Sequence, residues 1–212
     1  MQRILVWDYF VRFGHWALAA GFLAAYLSAE EIQWVHEIAG YTVAAIVLAR
    51  IVWGFVGPRR ARFANFVCGP RRVFRYLFDL LRFRSPRYVG HSPAGGAMVV
   101  ALLFLLTVTT AAGMTELAMK KGEGPLALLI ELPAEPTLTM SLDELIVVDN
   151  AKKEWRRKTI AVKNLHETFA NLTLFFIIAH ILGVALASFA HRENLVTAMF
   201  TGRKRGGDAA DL

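Results

Sequence analysis

Cysteine is nearly missing from this 212-residue chain. Cys68 stands alone, so no disulfide can form within the chain and no C-x-x-C-H haem-attachment motif exists. Charge is missing from long stretches: 13–29, 94–114 and 168–190 hold no Asp, Glu, Lys or Arg, and 38–58 holds only Arg50. Each is long enough to be read as a helix that crosses a bilayer. With 56% hydrophobic and 19% charged residues, the composition excludes an ordinary soluble domain. Lysine is absent from 57–93, which still carries nine arginines. Finally, neither His-Glu pair, at His36 and at His166, is followed by the second histidine of H-E-x-x-H, since Gly40 and Ala170 stand there. That excludes a zinc-protease helix.

What is present gives an all-α chain read as one membrane domain: an integral membrane four-helix bundle. The expected transmembrane helices are about 9–29, 35–56, 94–114 and 165–190. The first is not read as a cleaved signal peptide, because 26–31 is a poor small-residue cleavage site. The net charge of +7 is concentrated in 57–93 and in the tail at Arg192, Arg203, Lys204 and Arg205, whereas 115–164 holds acidic and basic residues in equal number. The positive-inside rule then places both termini and the 57–93 loop in the cytoplasm, and 115–164 in the periplasm. The basic charge reads as topology, not as nucleic-acid binding. Within 57–93, Val73, Phe74, Leu77, Leu80 and Leu81 recur at helical spacing among arginines, which predicts an amphipathic helix on the inner leaflet. The periplasmic segment is broken by Pro125, Pro133 and Pro136 and has a capping-box signature at 141–144. The tail after Ala190 is polar and is expected to fray.

Histidines sit where they are expensive. His166 and His180 are 14 residues apart on the fourth expected helix. That spacing keeps them within roughly 40° of one face while separating them by roughly 21 Å along the axis. His36 falls at the outer entrance of helix two and His15 near the inner end of helix one, so depth pairs His36 with His166 and His15 with His180. Imidazoles facing each other across a bundle core are the axial ligands of a b haem, held without covalent attachment. The split into two levels argues against one clustered zinc or copper site. Arg50 follows His36 by 14 residues and reaches the inner level. It reads either as a partner for a haem propionate or quinone carbonyl, or as a side chain snorkelling to the interface beside Trp53. Glu37 and Glu167 suit helix first turns. His91 is expected at the surface before the Ser92-Pro93 helix start, with a minor proton-relay reading. His191 is expected to be interfacial.

In combination, FGHW at helix one, HEIAGY with ARIVWGFVGPRRARF around helix two, HSPAGGAM at helix three, and HE-x12-H with HRENLVTAMFTGRKR at helix four resemble the bacterial cytochrome b561 and nickel–iron hydrogenase b-type cytochrome family. The resemblance implies a four-helix membrane cytochrome with two haem b groups, ligated by His36 with His166 on the outer side and His15 with His180 on the inner side. It also implies electron exchange between a periplasmic redox partner, such as a c-type cytochrome or an iron–sulfur or hydrogenase-type subunit, and quinone. The chain is open to homo-oligomer formation. Two alternatives within this reading are a superoxide oxidase that reduces quinone, with Lys163 steering the anion, and a membrane anchor for a periplasmic oxidoreductase.

Overall fold

The computed structural model describes residues 3–137 and 140–206. Among the described residues there are six α-helices: α1 (Tyr9–Ser28), α2 (Gln33–Val56), α3 (Pro70–Leu81), α4 (Pro93–Lys121), α5 (Leu142–Ala190) and α6 (Leu195–Thr201). Two short strands, β1 (Arg3–Leu5) and β2 (Arg203–Arg205), complete the set. Helices α1, α2, α4 and α5 are each long and apolar enough to cross a membrane. β1 runs antiparallel to β2 with Arg3 opposite Arg205, which brings the beginning and the end of the described chain together. That side of the bundle is the terminal end, and the opposite side the far end.

Local signals set most helix starts. Asp8 accepts the Val11 N–H at 2.9 Å ahead of α1, and Ser92 accepts the Gly95 N–H ahead of α4, whose first residue is Pro93. Both are side-chain caps for otherwise unpaired N–H groups. The link from Ser28 to Gln33 is so short that α1 and α2 must lie antiparallel. α1 packs on α2, α2 on α4, and α4 on α5. The central core is apolar: Phe22, Val43, Val47, Leu103 and Leu106, with Leu174 and Ile177 of α5 against it.

Two helices run beyond their apolar stretches. α4 continues past Met114 to Lys121 because the stop signal is Gly122, whose φ of 65° ends the helix in the left-handed conformation. α5 starts at Leu142, not near 165. Ser141 and Glu144 form a reciprocal capping box, neither Pro nor Gly occurs before Gly183, and pairs such as Lys153–Asp149 and Lys158–Glu154 support the polar stretch. At 49 residues, α5 is about 73 Å long, against a hydrocarbon core of about 30 Å. Its first half therefore stands clear of the spanning part as an arm. Trp155 Nε1 donates to the Met119 carbonyl at 3.2 Å and fixes the arm to the end of α4.

At the terminal end, α3 buries Tyr76 and Leu80 and exposes Phe74, Phe78 and Leu81. The expectation of a fraying tail is corrected for 191–206, while 207–212 lie outside the described residues. After Ala190 come α6, capped by Asn194 at the Thr197 N–H, and then β2. Their polar groups are used internally: Arg87 donates twice to Glu193, each at 2.9 Å, and Lys204 donates to the Tyr88 and Gly90 carbonyls.

Candidate functional site: two histidine pairs facing α5

Helix α5 lies in close backbone contact with α4 but reaches α1 and α2 through side chains. At the far end, the His36 and His166 rings have centroids 5.9 Å apart with planes at 88°. Toward the terminal end, the His15 and His180 rings are 6.2 Å apart with planes at 59°. Between the two levels Tyr26 donates to Asn171 at 2.8 Å, and Thr109 meets Thr173 at 3.4 Å with both residues buried.

The far rings are fixed by main chain. His36 Nδ1 lies 2.8 Å from the Ala25 carbonyl and His166 Nδ1 lies 2.8 Å from the Thr109 carbonyl. A carbonyl only accepts, so each Nδ1 carries the proton and each Nε2 keeps its lone pair. Gly113 lets α4 approach this ring: a Cβ there would stand 2.9 Å from His166 Cε1 and 3.0 Å from Nδ1. The near pair is tied differently. His15 Nδ1 is buried without a hydrogen-bond partner among the described residues, and the ring meets Trp16 edge-on at 5.1 Å.

Both separations suit a metal between two imidazoles. Two bonds of about 2 Å and two ring radii of about 1 Å give centroids about 6 Å apart. Among the described residues no three His, Cys, Asp or Glu side chains converge as a metal site, so the histidines meet in twos. α5 supplies few buried side chains, Thr159 and Thr173. The space it shares with α1 and α2 is therefore lined by partly exposed groups that a planar macrocycle would cover. The donor set and the spacing fit an iron porphyrin held by two histidines.

The other singled-out residues keep their expected places to different degrees. Arg50 does not snorkel: it is buried, donates from Nη2 to the Ala61 carbonyl at 3.3 Å, and lies 5.4 Å over the Phe63 ring. His91 is not at the surface. Its ring is wedged between Trp7 at 4.6 Å and Phe66 at 4.2 Å. Burial, then the charges of Arg50 and Lys204, push its pKa down to about 3. Lys204 is pushed down to about 8, mainly by burial. His191 lies 3.4 Å from the Tyr76 hydroxyl, away from both pairs. Glu37 is bound by Lys121 at 3.2 Å. Glu167 is deep inside α5, not in a first turn, and is paired with Lys163 at 3.2 Å. The carbonyls of Ala25 and Thr109 carry no sequence signal, because every residue has one.

The family model for prokaryotic cytochrome b561 matches residues 6–202. The chain belongs to the prokaryotic cytochrome b561 family. As a b561 chain it is a multi-pass membrane protein that binds b-type haem and serves electron transfer. The match includes all four spanning helices, both histidine pairs of the b561 chain and its arm. No curated protein and no solved structure matches the chain.

Proposed function

We propose that this b561 cytochrome binds two b haems, one between His36 and His166 and one between His15 and His180, and carries electrons across the membrane between an extracytoplasmic redox partner and the quinone pool. The observation that carries the reading is the pair of imidazole couples, with centroids 5.9 Å and 6.2 Å apart, about 21 Å apart along α5 by helix rise. Each haem supplies a one-electron carrier held at a potential set by its surroundings. The four histidines provide Nε2 and hold the ring planes. The Ala25 and Thr109 carbonyls hold the far tautomers, and the apolar core between the levels excludes water.

The terminal end is the cytoplasmic side in this reading, supported by the nine arginines of 57–93. Quinone meets the chain there, near His15, Arg50 and His180. An apolar groove of about 420 Å³ between α2 and α4 is lined by Ile51, Phe63, Val100, Leu103 and Phe104. It opens beside the Phe63 ring that packs on Arg50 and suits a prenyl tail. On the far, periplasmic side the arm of α5 runs on beyond the outer pair. It favours a protein donor, such as a c-type cytochrome or an iron–sulfur or hydrogenase-type subunit. Lys163 is engaged by Glu167, which leaves it a weak guide for a small anion.

The test is haem per polypeptide by pyridine haemochrome on purified protein. Two haems are expected in the wild type, and about one each in His36→Ala and His180→Ala. A wild type with one haem, or variants that keep both, would refute the paired assignment.

A further inference from the structure

Among the described residues, the terminal end buries positive charge that finds no full set of partners. Arg50 is 8% exposed, as is Lys204. Arg50 Nη1 is buried and finds no partner among the described residues, and the same is true of His91 Nδ1. One aromatic platform holds both groups: Phe63 lies under the guanidinium, Phe66 against the imidazole, and the two rings are 5.7 Å apart. Among the described residues the nearby carboxylates are already committed. Asp8 caps α1 and accepts from Trp53 Nε1 at 3.4 Å, while Glu193 accepts both bonds of Arg87 and the Arg205 N–H. A buried guanidinium with an unused N–H is costly unless an anion meets it. No acceptor for it is found among the described residues.

Its position says which anion. Arg50 follows His36 by the same 14 residues that separate His180 from His166. With the far rings side by side, Arg50 therefore lies at about the depth of the near pair. Gly14, adjacent to His15, packs within 3.7 Å of Ile46 when its missing Cβ is added, and Ile46 is one turn of α2 from Arg50. Arg50, and His91 on the same aromatic platform, thus lie at or just beyond the depth of the near pair, toward its terminal side.

We propose that Arg50 Nη1 and His91 Nδ1–H form a cradle for one propionate carboxylate of the inner haem. The proposal rests on the two-haem reading above. Arg50 supplies the charge, and His91 donates as a neutral imidazole held by Trp7 and Phe66. The haem is then anchored at its rim as well as at its iron. Positive charge beside the macrocycle disfavours the more positive ferric form, so the cradle raises the inner haem's potential.

The experiment is a spectroelectrochemical titration of the full-length protein in phosphate-free buffer, with haem content and haem loss to apomyoglobin measured in parallel. Arg50→Gln is expected to keep the outer potential and shift the inner one downward, and Arg50→Lys to recover most of that shift. His91→Phe is expected to release one haem several-fold faster than wild type does. Unchanged potentials in Arg50→Gln together with unchanged haem release in His91→Phe overturn the proposal. So does an inner potential in the wild type that moves when inorganic phosphate is added, because the cradle is then open to a free anion. If Arg50→Gln does not fold, the His91→Phe release rate decides alone. A wild type holding fewer than two haems would instead remove the two-haem reading beneath the proposal, and haem content separates that failure from the others.

Discussion

A histidine ring bound to a metal is tuned by what its second nitrogen touches. In the far pair both Nδ1–H groups point at main-chain carbonyls, at 2.8 Å each. In the near pair, His15 Nδ1 has no such acceptor among the described residues. Donation to a carbonyl makes an imidazole more electron-rich and favours the oxidised metal. If each pair holds a haem as proposed, the outer one is expected to have the lower potential. Two resolved waves should appear in a redox titration, with the lower one missing from His36→Ala. A single wave, or loss of the upper wave in that variant, would contradict the tuning. Gly113 belongs to the same argument. In Gly113→Ala the new methyl would sit 2.9 Å from His166 Cε1, and relief requires the ring to turn away from the Thr109 carbonyl. Outer-haem affinity should fall about 10- to 100-fold, as for loss of an orienting partner, read as haem retained after gel filtration. The four histidines and their pairing by depth could be read from the sequence because histidine is rare in an apolar run and helix rise converts spacing into depth. Arg50's burial could not, since snorkelling and burial share one sequence pattern.

At the scale of the element, hydropathy marks where a helix lies in the membrane and caps mark where it ends. For α1 and α2 the two nearly coincide. For α5 they differ by more than twenty residues, and an apolar window alone hides the arm, residues 142–164. The local signals for it were present: Ser141 and Glu144 at capping-box spacing, no Pro or Gly as far as Gly183, and acid–base pairs four apart. The charge balance of the segment, however, is equally that of a loop. The first turns of the arm carry Leu142, Ile146 and Val147 exposed, so local capping and not packing holds them. Ser141→Ala should therefore cost about 1 kcal/mol at this helix start. Amide exchange in 142–147 should quicken roughly fivefold, with exchange around Trp155 unchanged because its indole N–H is bonded to α4. Equal acceleration along the whole arm would mean that the capping box supports more than the first turns.

On the scale of the whole molecule, the terminal end is latched by groups whose protonation all pulls one way. Val6 and Trp7 donate their N–H groups to the Gly202 carbonyl at 2.7 Å and 3.1 Å, behind the buried Arg87–Glu193 pair at 2.9 Å. His91, packed on Trp7, has a pKa of about 3 by burial and by the charge of Arg50 and Lys204, against an ordinary value of 6.5. A released chain takes that proton near pH 6.5, while the latched one takes it only near 3. Between those values the latch binds fewer protons and weakens as pH falls, by up to about 1.4 kcal/mol per pH unit. Burial pushes the Glu193 carboxyl up, but the bonds from Arg87 and the Arg205 N–H outweigh it and hold it below its ordinary value. Its contribution is present at neutral pH and is also lost on acidification. Lys204, at about 8, adds its own cost once protonated, so it gives no opposing support in acid. The core between the spanning helices, Phe22, Val43, Val47, Leu103 and Leu106, is apolar and carries no titrating group. Lowering the pH from 7 to 4 should therefore expose the Val6 and Trp7 amides to exchange, corrected for the intrinsic rate, while amides of α2 and α4 within the membrane keep their protection. Constant protection at Val6 and Trp7 over that range would show that β1 and β2 are held by something other than this buried charge cluster.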